Sequence, residues 1–197
     1  MNIAIITLDG FNELDSFIAS AILNRAAKTD WTVQICGPDV SVTSMNGVRI
    51  DTQQTIEYAN DADVVLFGSG TKTADYVADD KFVGRFALDK TRQFIGSQCS
   101  GALFLQRLGL MGERISTDTM TAPKLENLGL EISTKALHVE GNVASAGGCL
   151  SSVYLAAWAI TKLADWTLAA EVVHYVAPIG EKDHYVEMTK RAIFSNQ

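Results

Sequence analysis

The segment 94–105 constrains the fold of this chain more than any other. It joins a short apolar run, a turn of small residues and an apolar run with helical spacing. Cys99 lies at the apex of the turn, between Ser97 and Gly101. A sharp strand–turn–helix bend needs small residues on both sides of its apex. The pattern therefore predicts a nucleophile elbow at the carboxyl end of a β-strand.

The elbow leaves two interpretations of Cys99 open. A thiol at the start of a helix lies in the positive end of the helix dipole, which favours the thiolate and so a nucleophile. A free cysteine is also a small hydrophobic side chain that commonly packs in the core at a strand end.

Strands and helices alternate along the rest of the chain. Apolar runs predict buried strands at 2–8, 31–36, 63–67 and 94–98, and helical spacing fills most of the intervals between and after them. Turns at Asn46-Gly47 and Gly141-Asn142 predict short β insertions within 40–50 and 136–146. This order predicts one α/β domain, 1–197, with a doubly wound, mainly parallel sheet sandwiched by helices.

Composition excludes several classes of function. Sixteen basic residues against 23 acidic ones give a net charge of -7, and without a basic patch we expect no nucleic-acid partner. We find no signal peptide and no apolar run of membrane-spanning length, so a cytoplasmic protein without a membrane partner is expected. Three widely spaced cysteines predict neither a disulfide framework nor a metal site.

In a doubly wound sheet, ligands bind where the carboxyl ends of the strands meet. Three loops leave the predicted strands at that edge, and they carry Asp15, Ser69-Gly70 and Cys99. The fold class therefore predicts that these residues are neighbours in a pocket for a small molecule.

Four motifs in the same order resemble a known family. They are Gly-Phe-Asn-Glu-Leu-Asp at 10–15, Phe-Gly-Ser-Gly at 67–70, Cys-Ser-Gly-Ala at 99–102 with Leu-Gly-Leu at 108–110, and Ser-Ala-Gly-Gly at 145–148. Together they resemble the ThiJ/PfpI superfamily, within the class I glutamine amidotransferase-like fold. The resemblance spans nearly the whole chain.

The resemblance implies a flavodoxin-like fold, a homodimer and a reactive Cys99. It places Asp15 beside the sulfur, and it makes the backbone N–H groups of Ser69, Gly70 and Ser100 an anion or oxyanion pocket. If Asp15 contacts the sulfur, the two acids cannot comfortably both be anions, so we expect a neutral Asp15 beside a Cys99 thiolate, or a pair that titrates as a unit.

Within the superfamily, the pattern looks most like isocyanide hydratase. In that branch a thiolate adds to an electrophilic carbon, an acidic residue shuttles the proton, and no cofactor or metal is needed. Two departures separate this chain from hydrolytic relatives. Ser100 follows the nucleophile where histidine is frequent, and Asp118 takes the place of a second histidine.

Other interpretations remain beside these assignments. Asp15 is a candidate helix cap, Asp118 a solvated turn residue, and Cys149 either a packed side chain or a resolving thiol. The alternative to an enzyme is a redox sensor with an oxidisable Cys99, or a ligand-binding domain. The chain carries no DNA-binding motif of its own.

Overall fold

A computed structural model describes residues 1–26 and 30–195 of the chain. The strands are β1 (Asn2–Ile6), β2 (Thr32–Gly37), β3 (Ser41–Thr43), β4 (Arg49–Asp51), β5 (Gln54–Thr55), β6 (Val64–Phe67), β7 (Phe94–Gln98), β8 (Arg114–Ile115), β9 (Glu131–Ile132), β10 (Leu137–Glu140) and β11 (Val143–Ala146). The helices are α1 (Glu13–Ala26), α2 (Thr73–Ala78), α3 (Asp80–Val83), α4 (Ala102–Arg107), α5 (Ala122–Asn127), α6 (Ser152–Leu163), α7 (Trp166–Val176) and α8 (Lys182–Phe194).

Seven strands form one twisted central sheet in the order β10-β11-β7-β6-β1-β2-β5. Every neighbouring pair is parallel except β10 and β11, which form an antiparallel hairpin around the predicted Gly-Asn turn. The central strands are buried on both faces, as continuous apolar runs predict. The mainly parallel, flavodoxin-like sheet expected from the sequence is confirmed.

Helices cover both faces of this sheet. One apolar cluster joins β1 and β6 to α1, α6 and α7 around the fully buried Trp158. The other cluster lies on the opposite face, where the phenylalanine rings of Phe67, Phe82, Phe86 and Phe104 pack together. The two layers make the sheet a doubly wound sandwich.

Some predicted elements have different bounds. The first strand ends at Ile6 instead of continuing to Leu8, although the Thr7 N–H still bonds the Cys36 carbonyl at 2.9 Å. The helical region expected over 74–89 ends at Val83 after two short helices. The segment after Cys99 begins as a 3-10 turn, Cys99–Gly101, before it becomes α4. The edge strand β5 has only two residues, too few to leave a periodic signal.

The predicted single domain includes residues 27–29 and 196–197, which lie outside the described residues. Within residues 1–26 and 30–195, no helix has both the length and the hydrophobicity that crossing a bilayer requires.

Candidate functional site

The turn at Cys99 has the geometry of a nucleophile elbow. Cys99 follows β7 directly and has a φ of 48°, which makes it the one non-glycine residue with positive φ in the described part of the chain. A Cβ atom on Gly101 would lie 2.4 Å from the Phe67 carbonyl oxygen and 2.8 Å from that of Gly68. The small residue after the apex is thus required because α4 begins against the backbone of the neighbouring strand.

Asp15 lies against the Cys99 sulfur. Its side chain is 2% exposed, and a carboxylate oxygen lies within 4.8 Å of the sulfur atoms of both Cys99 and Cys149. The Ser69 hydroxyl donates a hydrogen bond to Asp15 Oδ2, whereas Oδ1 has no hydrogen-bond partner among the described residues. The fold therefore brings together residues from α1, the loop after β6 and the elbow.

The capping interpretation of Asp15 is wrong. Asn12 precedes α1, and its Oδ1 accepts a hydrogen bond from the Leu14 N–H at 3.1 Å. Asp15 lies further along the helix, within its first turn, and its carboxylate points inward to Ser69 instead. A buried carboxylate that does not cap its own helix is left available for chemistry at the sulfur.

Burial dominates the electrostatics of the pair. It raises the pKa of Asp15, an effect partly offset by interactions with the Ser69 hydroxyl and with the thiols of Cys99 and Cys149. Burial also raises the pKa of the Cys99 thiol, and the charge of Asp15 raises it further. Since the carboxyl is much the stronger acid of the two, the shared proton rests on the thiol.

The expected thiolate at the helix start is therefore corrected. The element that follows Cys99 begins as a three-residue 3-10 turn, whereas burial and the charge of Asp15 both raise the pKa of the thiol. With the proton on the sulfur, Cys99 and the Asp15 carboxylate have the arrangement of a nucleophile with its own general base.

The three predicted backbone donors lie at the same edge of the sheet. Ser69 and Gly70 follow β6, and Ser100 follows the nucleophile. The Gly70 N–H already donates to the Ser100 Oγ at 3.1 Å, and that hydroxyl also contacts Thr73 Oγ1 at 3.0 Å. The Ser100 side chain must turn aside before the Gly70 N–H can bind a substrate atom.

Asp118 and Cys149 also face the site. Asp118 Oδ1 accepts hydrogen bonds from the Met120 and Thr121 N–H groups at 2.8 and 3.0 Å, as expected for a turn residue. The half-buried Cys149 accepts a hydrogen bond from Asn12 Nδ2 at 3.2 Å. The Asp118 carboxylate thus stabilises its own turn. Cys149 instead lies beside the Cys99 sulfur and the Asp15 carboxylate.

A cavity of about 560 Å³ opens over the elbow. Its wall includes Ser69, Gly70, Cys99, Ser100, Asp118 and Cys149. Asp15 lies beneath this surface, so a molecule in the cavity meets the sulfur first. The volume suits a small organic molecule.

Sequence reasoning missed two side-chain amides that support the sulfurs. Gln98 Nε2 lies 3.5 Å from Cys99 Sγ and donates to the Gly148 carbonyl at 2.8 Å, and Asn12 holds Cys149. Asn12 carried a detectable signal, because asparagine directly before a helix is a common cap. Gln98 was detectable as the polar residue that ends an apolar strand.

The site also contains three side chains that could together bind a metal ion. Asp15, Cys99 and Cys149 offer one ligand atom each, all within 4.8 Å of one another, in the part of the chain that the structure describes. Two sulfurs and one oxygen would suit a soft or borderline cation. That no metal is needed stays a prediction.

One comparison with known proteins identifies a family, and solved structures share the fold. The family model described as DJ-1/PfpI matches residues 1–162. Drosophila melanogaster DJ-1beta is similar, with 20% sequence identity, a TM-score of 0.76 and coverage of 89% of this chain and 96% of that chain. A ThiJ/PfpI family protein from Pseudomonas syringae is also similar, with 19% identity, a TM-score of 0.77 and coverage of 98% of this chain and 88% of that chain. A third similar structure is an AraC family transcriptional regulator from Pseudomonas putida, with 18% identity, a TM-score of 0.74 and coverage of 89% of this chain and 99% of that chain. No curated protein matches the chain.

Proposed function

The chain belongs to the DJ-1/PfpI family, and from that premise we propose that it is a cysteine-dependent hydratase of small isocyanides. The observation that carries the proposal is the buried Asp15 carboxylate against the Cys99 sulfur, beneath a cavity of small-molecule size. Hydration of an isocyanide needs one nucleophile and one group that moves protons in both directions. Cys99 and Asp15 supply those two functions without a cofactor.

The first step adds the thiol across the terminal carbon of the isocyanide. The sulfur forms a bond to that carbon while Asp15 takes the thiol proton and delivers it to the same carbon. The product is a thioimidate attached to Cys99. A neutral resting thiol suits this step, because the proton leaves the sulfur only as the new bond forms.

The second step hydrolyses the thioimidate. Water attacks its carbon, and Asp15 takes one proton from the water and delivers it to the imidate nitrogen. The carbon–sulfur bond then breaks, and the remaining hydroxyl proton passes through Asp15 to the sulfur, which releases an N-substituted formamide and restores the thiol. The balance is one isocyanide and one water consumed for one formamide formed. We assign the N–H groups of Ser69, Gly70 and Ser100 to the developing negative charge, with the Gly70 N–H available once the Ser100 hydroxyl has turned aside.

Turnover of an aryl isocyanide, followed as formamide by liquid chromatography, tests this function. We expect saturable turnover by the native chain and none above background with Cys99→Ala. Asp15→Asn should lower kcat by about 10²- to 10⁴-fold, the usual contribution of a general acid–base. Cys36→Ser is the matched control, because that buried thiol lies on β2 with a pKa raised to about 12 by burial.

Native-like turnover in Cys99→Ala would rule out the proposed nucleophile. An unreactive native chain with a binding-competent cavity would instead favour a ligand-binding domain. The reaction also fits a compartment that keeps both site thiols reduced, and the cytoplasm is the one we propose.

A further inference from the structure

The proposed hydration leaves one thiol in the site without a role. Cys149 is half-buried, lines the same cavity as Cys99, and its sulfur lies within 4.8 Å of the Cys99 sulfur and of an Asp15 oxygen. A hydratase needs one nucleophile only. A second thiol at this distance calls for its own explanation.

The sheet itself brings the two cysteines together. Strands β7 and β11 are parallel neighbours, with Gln98 and Ala146 paired in register. Cys99 follows the end of β7 directly, and Cys149 lies three residues beyond the end of β11. Both thiols therefore emerge at the same edge of adjacent strands.

Side-chain amides hold the two sulfurs in this arrangement. Gln98 Nε2 lies 3.5 Å from Cys99 Sγ and donates to the Gly148 carbonyl at 2.8 Å, which ties the elbow to the loop that carries Cys149. Asn12 Nδ2 lies 3.2 Å from Cys149 Sγ. A donor aimed at a sulfur favours its thiolate form.

We propose that Cys99 and Cys149 form a reversible redox pair, in which a hydroperoxide oxidises Cys99 and Cys149 closes a disulfide with it. The proposal goes beyond hydration and does not depend on it, because it stands on the position of the two sulfurs alone. Disulfide formation removes the nucleophile from use, so oxidation switches the site off.

Disulfide formation takes place in two steps that conserve atoms and electrons. The Cys99 sulfur attacks one peroxide oxygen; the S–O bond forms, the O–O bond breaks, and the thiol proton leaves with the departing hydroxide as water. The Cys149 sulfur then attacks the sulfenic sulfur of Cys99; the S–S bond forms, the S–O bond breaks, and the Cys149 proton leaves with hydroxide as a second water. Two thiols are oxidised by two electrons and one peroxide is reduced.

The loop of Cys149 is the part that can complete the approach. A disulfide requires the sulfurs to close to about 2.05 Å. Cys99 is fixed by the elbow, whereas Cys149 follows Gly148, which has a φ of 81° and where a Cβ atom would meet no heavy atom within 4 Å. We therefore expect rotation of the half-buried Cys149 side chain to shorten the separation of the two sulfurs without movement of the sheet.

Peptide mapping after peroxide treatment tests the pair. Reduced protein is treated with one equivalent of hydrogen peroxide, alkylated with N-ethylmaleimide and digested with trypsin. We expect the native chain to lose two hydrogen atoms and to give a linked pair of peptides, 93–107 and 136–162, that dithiothreitol separates. Cys36→Ser, which leaves the site intact, should give the same linked pair.

Cys149→Ser and Cys149→Ala should instead accumulate Cys99 sulfinate several-fold faster than the native chain, because nothing resolves the sulfenic acid. Sulfinate on Cys99 of the native chain, with Cys149 fully alkylated, would overturn the proposal. That result needs no variant, and it leaves the hydratase assay unaffected, so the two proposals fail separately.

Discussion

Asp15 and Cys99 lie so close together in a buried site that ionisation of one group disfavours ionisation of the other. Burial raises the pKa of both groups, and the carboxylate raises the pKa of the thiol further. We therefore expect the carboxyl to ionise first and the sulfur to keep its proton until a substrate arrives. The chemistry of the site depends on this pair more than on the strength of the nucleophile at rest.

The Ser69 hydroxyl influences the pH below which Asp15 loses its negative charge. Its hydroxyl bonds the charged form of Asp15 and lowers the pKa of that carboxyl, so Ser69→Ala should raise it. The base form of Asp15 would then be lost at a higher pH as the pH falls. We expect the acid limb of the kcat/KM profile for isocyanide hydration to shift to higher pH.

Ser16→Ala provides the control for that shift. Ser16 is buried on the same helix, but its hydroxyl contacts Thr7 at 3.0 Å. Its loss should leave the acid limb where it is in the native chain. An unchanged limb in Ser69→Ala would mean that Asp15 is not the group that titrates there.

At the level of elements, the site lies where the carboxyl ends of three neighbouring strands come together. Asp15 follows β1, Ser69 follows β6 and Cys99 follows β7, and these strands are consecutive neighbours in the sheet. The elbow can hold its strained apex because the backbone of β6 fixes the start of α4 from outside.

Gly101→Ala should break that support. Gly101 has an ordinary φ of -55°, so the cost comes from the new Cβ against the Phe67 and Gly68 carbonyl oxygens. We expect a loss of about 1–3 kcal/mol in the free energy of unfolding, measured in urea, together with reduced turnover. A stability equal to that of the native chain would contradict the packing.

Gly129→Ala is the matched comparison. A Cβ atom on that glycine would have no other heavy atom within 4 Å of it, but the residue has a φ of 87°. The cost there should be only the backbone strain, about 1–2 kcal/mol, with turnover unchanged.

The fold and the position of the pair could be predicted from sequence because both depend on backbone pattern. Small residues around Cys99 marked the elbow, and strand order placed Asp15 near it. The hydrogen bond between Ser100 Oγ and the Gly70 N–H depends on one rotamer, which no spacing encodes. The raised pKa of Cys99 likewise depends on how deeply the finished fold buries the sulfur.

At the level of the whole molecule, the central sheet carries two separate apolar layers. Trp31 and Trp158 belong to the layer of α1, α6 and α7, and Trp166 packs against it, whereas the phenylalanine cluster fills the other face. The strands are shared by both layers, so we propose that 1–197 folds as one domain.

One domain predicts one unfolding transition. Tryptophan fluorescence reports on the first layer only, while far-ultraviolet circular dichroism reports on all helices and strands. The two signals should give the same urea midpoint for the native chain. Midpoints that differ beyond error would show that the layers unfold separately and would contradict a single domain.

The family resemblance also supports a homodimer, which we propose as the assembled form. Sedimentation equilibrium should then give about twice the chain mass of 21.3 kDa. A mass equal to that of one chain at micromolar concentration would contradict the proposed homodimer.

The pH dependence of Cys99 alkylation, in the native chain and in Asp15→Asn, is the most direct test of the shared proton. Iodoacetamide labelling is read by mass spectrometry on the peptide of each cysteine. Cys36, which is fully buried, reports any opening of the fold.

We expect labelling of native Cys99 to rise only at a pH above that of an ordinary thiol. In Asp15→Asn the midpoint should fall, because the charge that raises the pKa of the thiol is gone, while the kcat for isocyanide turnover falls by about 10²- to 10⁴-fold without the general base. A midpoint in Asp15→Asn that is equal to or higher than the native one would contradict the pairing of Asp15 with Cys99.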